Sequence, residues 1–298
     1  FYVCIREEDG AVWCPAWRPV EAELDSWKAE HSPGATRFKA RRGSLSATLE
    51  LFIPPGENTL VWDIRIASDS GEAVHLDVFG YVELCLLDWK QDTDWACYVK
   101  HNLQVEWDEA AQAVVYVYRH FHFNPHLANC PLVHFAASAP VSSWSADRDN
   151  FVGPYRDERN PVAIGGNACD CQPNYCGDPA AALQVPLGLP ARSGARFQFF
   201  LSTEENAVVE WPRALNAARA TLGRLRSPGV VDELRSDLTG WWEQHLGVLS
   251  AGLPDPDITR QINTWGPVQS LHTARYSRSF SQHAAGVRTI GHRDTCQD

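Results

Sequence analysis

The chain has 298 residues, 44% of them hydrophobic and 21% charged, with 26 Lys and Arg against 37 Asp and Glu and a formal net charge of −11. These values are ordinary for globular proteins and exclude disorder over most of the length. A negative field repels phosphate backbones and anionic lipid, so neither nucleic acid nor a membrane is an expected partner. No run of ~18 apolar residues is present to predict a membrane-spanning helix, and Phe1-Tyr2-Val3-Cys4 carries no basic segment of a signal peptide.

Residues 1 to 203 read as β structure. Leu45 to Ile53 alternates apolar with small or polar residues and stops at Pro54-Pro55-Gly56, the pattern of a strand and a turn. Leu60 to Ala67 predicts a second strand, Ser68-Asp69-Ser70-Gly71 a turn, and Val74 to Leu84 a third, long strand. Val114 to Tyr118 and Arg196 to Leu201 read as further strands. Short strands separated by turns, with no long amphipathic helix between them, predict an antiparallel sandwich.

After Glu204 the period becomes helical. Val209, Leu215, Ala218, Leu222 and Leu225 share one stripe, which Ser227-Pro228-Gly229 interrupts. Val230 to Leu249 predicts a second helix, with Val231, Leu234, Leu238, Trp241 and Trp242 on its apolar face. Gly252 to Asp257 reads as a linker, with Asp257 as the cap of a third helix from Ile258 and with Ile262 and Trp265 turned inward. The expected layout is a β domain over 1–203, a helical linker over 204–253 and the opening of an α-helical domain over 254–298. The chain has no Met, and it stops inside a dense polar segment at Gln297-Asp298; both features read as an internal piece of a longer protein.

Two polar clusters stand out. Arg275 to His283 and Gly286 to Asp298 combine Arg278, Arg288, Arg293 and Asp294 with glycines. Guanidinium forks and carboxylates suit vicinal hydroxyls, arginines suit phosphate, and the alternative is a surface ion-pair network. The second cluster is Asp147-Arg148-Asp149-Asn150-Phe151-Val152-Gly153-Pro154-Tyr155-Arg156-Asp157. Aromatic residues beside Arg and Asp in a loop can stack on and hydrogen-bond a sugar; the alternative is an ordinary charged loop. His120, His122 and His126 read as a solvated or hydrogen-bonded group rather than a metal site. The nine cysteines read as mostly reduced thiols, and Cys169-x-Cys171-x4-Cys176 lacks the fourth ligand and the usual spacing of a zinc site. P-loop, dinucleotide-binding, zinc-protease and nucleophile-elbow motifs are absent from the sequence.

The order of these residues resembles the cellobiose phosphorylase family, inverting glycoside phosphorylases that include chitobiose and cellodextrin phosphorylases. The likeness runs through Gly10 to Val20, Leu51-Phe52-Ile53-Pro54-Pro55, Gly80 to Leu86, Asp147 to Arg156, Cys176-Gly177-Asp178-Pro179 and Asn263-Thr264-Trp265. It ends on Ser277-Arg278-Ser279, Arg288 and Gly291-His292-Arg293-Asp294-Thr295-Cys296-Gln297-Asp298. The resemblance implies an antiparallel super-β-sandwich, a helical linker and the start of an (α/α)6 barrel. It implies reversible phosphorolysis of a β-linked disaccharide or oligosaccharide to an α-sugar 1-phosphate by a homodimer; the reduced thiols are those of a cytoplasmic protein. Inorganic phosphate would be the co-substrate, with no metal or organic cofactor. Arg288 and Asp294 match residues that hold the donor sugar, Arg278 matches a further active-site arginine, and Arg293 lies between the donor residues. Asp147, Arg148, Tyr155 and Arg156 lie in a loop resembling one that a partner subunit lays over the acceptor side.

The chain departs from that pattern at several points. The family's catalytic aspartate lies in a Trp-Asn-Asp-Gly motif that this chain lacks, so the general acid is expected beyond Asp298 and the 298 residues alone are expected to be inactive. Gly266-Pro267 follows the Trp, and Pro inside a helix costs about 3 kcal/mol unless the helix deforms. A phosphorylase-like module of a cyclic β-glucan synthase and a non-catalytic carbohydrate-binding β-sandwich are the alternative functions.

Overall fold

The computed structural model describes residues 1–84, 86, 94, 97, 100–118, 131–205, 211–248 and 250–276. They form two compact units: residues 1–31 with 35–233, and residues 32–34 with the described residues from 234 onward.

The first unit is a sandwich of two sheets. The smaller has the order β11-β12-β7-β1-β2, built from β1 (Tyr2–Glu7), β2 (Val12–Trp13), β7 (Val74–Val82), β11 (Ser143–Asp147) and β12 (Pro179–Leu189). The larger has the order β3-β4-β5-β6-β13-β10-β9-β8. Its members are β3 (Ser26–Ser32), β4 (Ala35–Arg42), β5 (Leu45–Phe52), β6 (Thr59–Ser68), β8 (Leu103–Asp108), β9 (Ala113–Tyr118), β10 (Leu132–Ala137) and β13 (Gly194–Glu204). The expected strands are present as β5, β6, β7, β9 and β13, and the pairings that link them are antiparallel.

Alternation along the strands makes the core. Trp62, Ile64 and Ile66 of β6 face Leu76, Val78 and Val82 of β7, together with Phe135 and Phe199. The rings of Trp62, Phe135 and Phe199 lie 5.3 to 6.1 Å apart, within the range of favourable aromatic pairs. Gly80 sits on the same face of β7, where a Cβ would come within 2.9 Å of Phe135 and 2.8 Å of Phe199. The strand approaches that ring pair because it has no side chain there.

The outer face of the larger sheet is covered by α3 (Trp211–Leu225) and the first turn of α4 (Val230–Leu246). Leu132 and Val115 pack under Ala214 and Ala218 of α3. Arg226, at the end of α3, donates to the carbonyls of Ala137, Ala111 and Gln112 at 2.9, 2.6 and 3.0 Å. Asp63 is buried on the same face and accepts from Arg196 at 2.7 Å and Gln198 at 2.8 Å. Arg196 continues to Asp232 of α4 at 2.7 and 3.0 Å. The α3 stripe of Ala218, Leu222 and Leu225 is buried as expected, and Val209 lies outside the described residues.

Val231, in the first unit, is buried; in the second unit Leu234, Leu238 and Trp242 of α4 are buried, while Trp241 is half-buried. Gly34, with φ +75°, lies against Leu238 and Trp242. The third helix differs from expectation. Asp255, not Asp257, is its cap, accepting from the backbone of Asp257 and Ile258 at 2.8 and 3.2 Å. Pro256 then occupies the first turn of α5 (Pro256–Arg260), where its missing N–H costs nothing. A π turn follows at Gln261–Trp265, closed by Gly266 N–H on the Gln261 carbonyl, before α6 (Gly266–Tyr276). That turn receives Pro267, whose ring would collide with the carbonyl four residues back in an unbroken α-helix. The extra residue rotates the helix register, so Ile262 is exposed and Val268 is buried. Among the described residues, no helix is long and apolar enough to cross a membrane.

His134 on β10 is fully buried, and among the described residues neither ring nitrogen has a hydrogen-bond partner. Burial lowers its pKa to about 4; Asp108 opposes the shift, and Arg219 and Arg226 reinforce it. The unfolded chain therefore binds a proton that the folded chain rejects between about pH 6.5 and 4. This group's contribution is complete above pH 6.5 and declines by about 3 kcal/mol as pH falls through that window. Denaturant unfolding of wild type and His134→Leu between pH 7.5 and 4 is expected to show a shallower acid decline in the variant. Identical slopes would contradict the assignment.

Candidate functional site

The loop after β11 is held by its first residue. Asp147 caps α1 (Arg148–Val152): its Oδ1 accepts from the backbone N–H groups of Asp149 at 2.8 Å and Asn150 at 3.2 Å. Its Oδ2 accepts from Asn174 Nδ2 at 2.7 Å. Asn174 is buried and pinned in turn, exchanging two backbone hydrogen bonds of 2.8 Å with Val105. Its Oδ1 accepts from Cys176 N at 3.1 Å and Gly177 N at 2.7 Å. A side chain on Gly177 would overlap the Asp147 carboxylate, so glycine is required there by space. Partial burial raises the pKa of Asp147, against the lowering effect of the two backbone donors.

Arg148 is committed as well. Its Nη2 donates to Glu158 and its Nε lies 3.3 Å from Glu83, while Tyr81 donates to the same Glu83 oxygen at 2.6 Å. The Glu158 hydrogen bond is the main reason its pKa is raised. Tyr81 stands between two rings, stacked on Tyr2 and on Phe151 of α1 with centroids 4.8 Å away in each case. These rings belong to a second apolar cluster with Cys4, Cys14, Phe79, Val152, Ala163 and Ile164. The last two lie on α2 (Val162–Gly166).

Beyond α1 the chain turns outward. Tyr155 is fully exposed in a left-handed conformation, φ +60°, that costs a tyrosine about 1–2 kcal/mol. Arg156 makes one long hydrogen bond, 3.4 Å, to the Asn160 carbonyl. Arg159 pairs with Glu21 at 3.1 Å, which joins this segment to the loop containing Trp17 and Glu21. Both of those residues also have positive φ, +68° and +56°. Three non-glycine residues with positive φ therefore lie on adjoining loops, two of them exposed aromatics.

Of the residues singled out in the sequence, the structure therefore brings Asp147 and Arg148 into the loop's own framework and presents Tyr155 and Arg156 to solvent. Arg278, Arg288, Arg293 and Asp294 lie outside the described residues, as do His120, His122 and His126. Cys169 is buried, with its thiol pushed up to about 12 by burial, while Cys171 and Cys176 are exposed. Among the described residues no group of three or more His, Cys, Asp and Glu is arranged to hold a metal. Asn174, Glu83 and Glu158 escaped the sequence reading. A concavity of about 330 Å³ is lined by Trp107, Val115, Trp211, Leu215 and Arg219. Arg219 is already paired with both oxygens of Asp108, at 2.9 and 2.8 Å.

Residues 1–215 match the family described as glycosyl hydrolase 94, supersandwich domain. The chain is 25% identical over 301 residues to N,N'-diacetylchitobiose phosphorylase from Vibrio furnissii, covering 100% of this chain and 36% of that protein. It is 20% identical over 287 residues to 3-O-beta-D-glucopyranosyl-beta-D-glucuronide phosphorylase from Paenibacillus borealis, covering 92% of this chain and 34% of the relative. Among solved structures, a candidate kojibiose phosphorylase from human microbiome superposes with a TM-score of 0.57 at 10% identity. That superposition covers 90% of this chain and 30% of the other, and it shows the fold. The chain spans about a third of the length of the curated relatives it matches.

The Asp147 framework predicts the effect of removing Asn174. Asn174→Ala leaves the Cys176 and Gly177 N–H groups and one Asp147 oxygen without their partner, at about 1–3 kcal/mol for a buried group. Thermal denaturation is expected to show a lower Tm, and tryptic cleavage at Arg148 and Arg156 is expected to accelerate. An unchanged Tm with unchanged cleavage would contradict the clamp.

Proposed function

The chain belongs to the glycosyl hydrolase 94 family through its supersandwich domain, and from that premise we propose that the protein carrying it is a glycoside phosphorylase. Its substrates are a β-linked disaccharide or oligosaccharide and inorganic phosphate; its product is an α-sugar 1-phosphate, formed reversibly and with inversion in the cytoplasm. The observation that supports this most is the alignment of 92 to 100% of the chain with phosphorylases of different disaccharides.

Residues 1–203 are the sandwich, 204–253 the helical linker and 254–298 the beginning of an (α/α)6 barrel. In an inverting reaction an acid protonates the glycosidic oxygen while a nucleophile attacks the opposite face of the sugar. Phosphate arrives already anionic, so it needs no general base; arginines offset its desolvation. Arg278, Arg288, Arg293 and Asp294 hold the donor sugar and screen phosphate. The acid lies beyond Asp298, so the 298 residues alone do not turn over. In a homodimer the exposed Tyr155 and Arg156 reach over the acceptor side of the partner subunit. Asp147 and Arg148 support them by fixing the start of the loop.

The test is phosphorolysis by the full-length protein. With phosphate and a panel of β-linked disaccharides that includes cellobiose and N,N'-diacetylchitobiose, phosphorus NMR is expected to show an α-sugar 1-phosphate with loss of inorganic phosphate. Asp294→Ala is expected to lower kcat/KM by at least about 10²-fold at unchanged Tm, the loss of one or two charge-assisted hydrogen bonds tightened in the transition state. Glycan binding without turnover, or hydrolysis without phosphate uptake, would overturn the proposal.

A further inference from the structure

We infer that Cys4 and Cys14 are an oxidation site, forming a disulfide that ties the β1–β2 edge of the smaller sheet. The register places them there. Ile5 pairs with Trp13 and Arg6 with Val12, so Cys4 lies directly opposite Cys14. Glu7 N–H donates to the Ala11 carbonyl at 2.8 Å, which makes that pair hydrogen-bonded. Alternation along the ladder then makes Cys4 and Cys14 a non-hydrogen-bonded pair, the kind whose side chains approach most closely. The Cα spacing of about 4.5 Å in such a pair falls within the range a disulfide spans. The two sulfurs are 2.6 Å apart, closer than unbonded sulfurs pack. Both are buried in the apolar cluster with Phe79, Tyr81 and Phe151.

The position gives the bond a task. β2 is two residues long, occupies the edge of its sheet and is anchored by the buried Trp13; the bond would add a covalent tie to that anchor. From Cys14 hangs the loop that reaches Trp17 and Glu21: Trp17 N–H donates to the Cys14 carbonyl at 2.8 Å and Glu21 N–H to that of Trp17 at 2.9 Å. Glu21 then braces Arg159, next to the Tyr155–Arg156 segment. The disulfide stands on register and burial; only its influence on that segment's task rests on the function proposed above.

The chemistry balances with hydrogen peroxide as oxidant. One thiolate attacks a peroxide oxygen; the O–O bond breaks, leaving a sulfenic acid and one water. The second sulfur attacks the sulfenic sulfur; the S–S bond forms as the S–O bond breaks and a second water leaves. The two thiol protons and two electrons end on the peroxide oxygens. Burial and the neighbouring Cys14 push the Cys4 thiol well above its ordinary range, so the reaction in the folded protein quickens as pH rises.

The test uses the full-length protein, refolded either with hydrogen peroxide or with reductant, then denatured in an alkylating agent and digested with trypsin without reduction. Refolding in oxidant removes burial as an obstacle. Mass spectrometry is expected to find the peptide ending at Arg6 joined to the one spanning Glu7 to Lys28, lighter by two hydrogens than the sum. The oxidised protein is expected to melt several degrees above the reduced one, and Cys4→Ser to abolish both the linked peptide and the difference. Cys4 and Cys14 both alkylated after oxidative refolding, or Cys14 joined instead to Cys169, Cys171 or Cys176, would overturn the inference.

Discussion

Tyr81 stands on the face of β7 that turns away from the main core, stacked between Tyr2 and Phe151, and the placement of the candidate site follows from that face. β7 is buried on both sides along its second half. Its even-numbered residues Leu76, Val78 and Val82 belong to the core between the sheets; Phe79 and Tyr81 belong to the second cluster beneath α1 and α2. Gly80 lets the strand press against Phe135 and Phe199 on the first side, which fixes the height of Tyr81 on the other. One strand thus connects the packing of the sandwich to the loop on its outer face. Neighbouring strands support it on both sides, β1 over six residues and β12 over nine.

Electrostatics completes what packing begins. The Asp147 cap, the buried Asn174 and the Arg148 links to Glu83 and Glu158 each satisfy a polar group that would otherwise be costly inside the loop. With those groups occupied, the outward pair Tyr155 and Arg156 is exposed, and among the described residues Arg156 reaches the Asn160 carbonyl at 3.4 Å. A loop whose base is satisfied can tolerate strain at its tip, and the positive φ of Tyr155 lies there.

The strands with strict alternation were legible in the sequence. β5, β6 and β9 show a period of two or unbroken β-branched and aromatic runs, and α3 and α4 show a sustained helical stripe. β12 was not legible: Pro179–Leu189 is rich in alanine, with two prolines, and its strand character comes from pairing with β7. Of two Asp residues flanking Pro256, proline's preference for the first helical turn selects Asp255 as the cap, a rule the expectation of Asp257 overlooked. In the candidate site, the Arg and Asp of the 147–157 loop were visible as composition. Their division into framework and tip was not, because it depends on Asn174, 27 residues from Asp147, and on Glu83, just past the end of β7.

The central claim is that the outer face of β7 holds the loop. Amide hydrogen exchange on the full-length protein and on Tyr81→Ala measures this directly. Residues 149–153 are expected to lose protection in the variant while β5, β6 and β13 keep theirs. Unchanged protection at 149–153, or an equal loss across all of these segments, would contradict it.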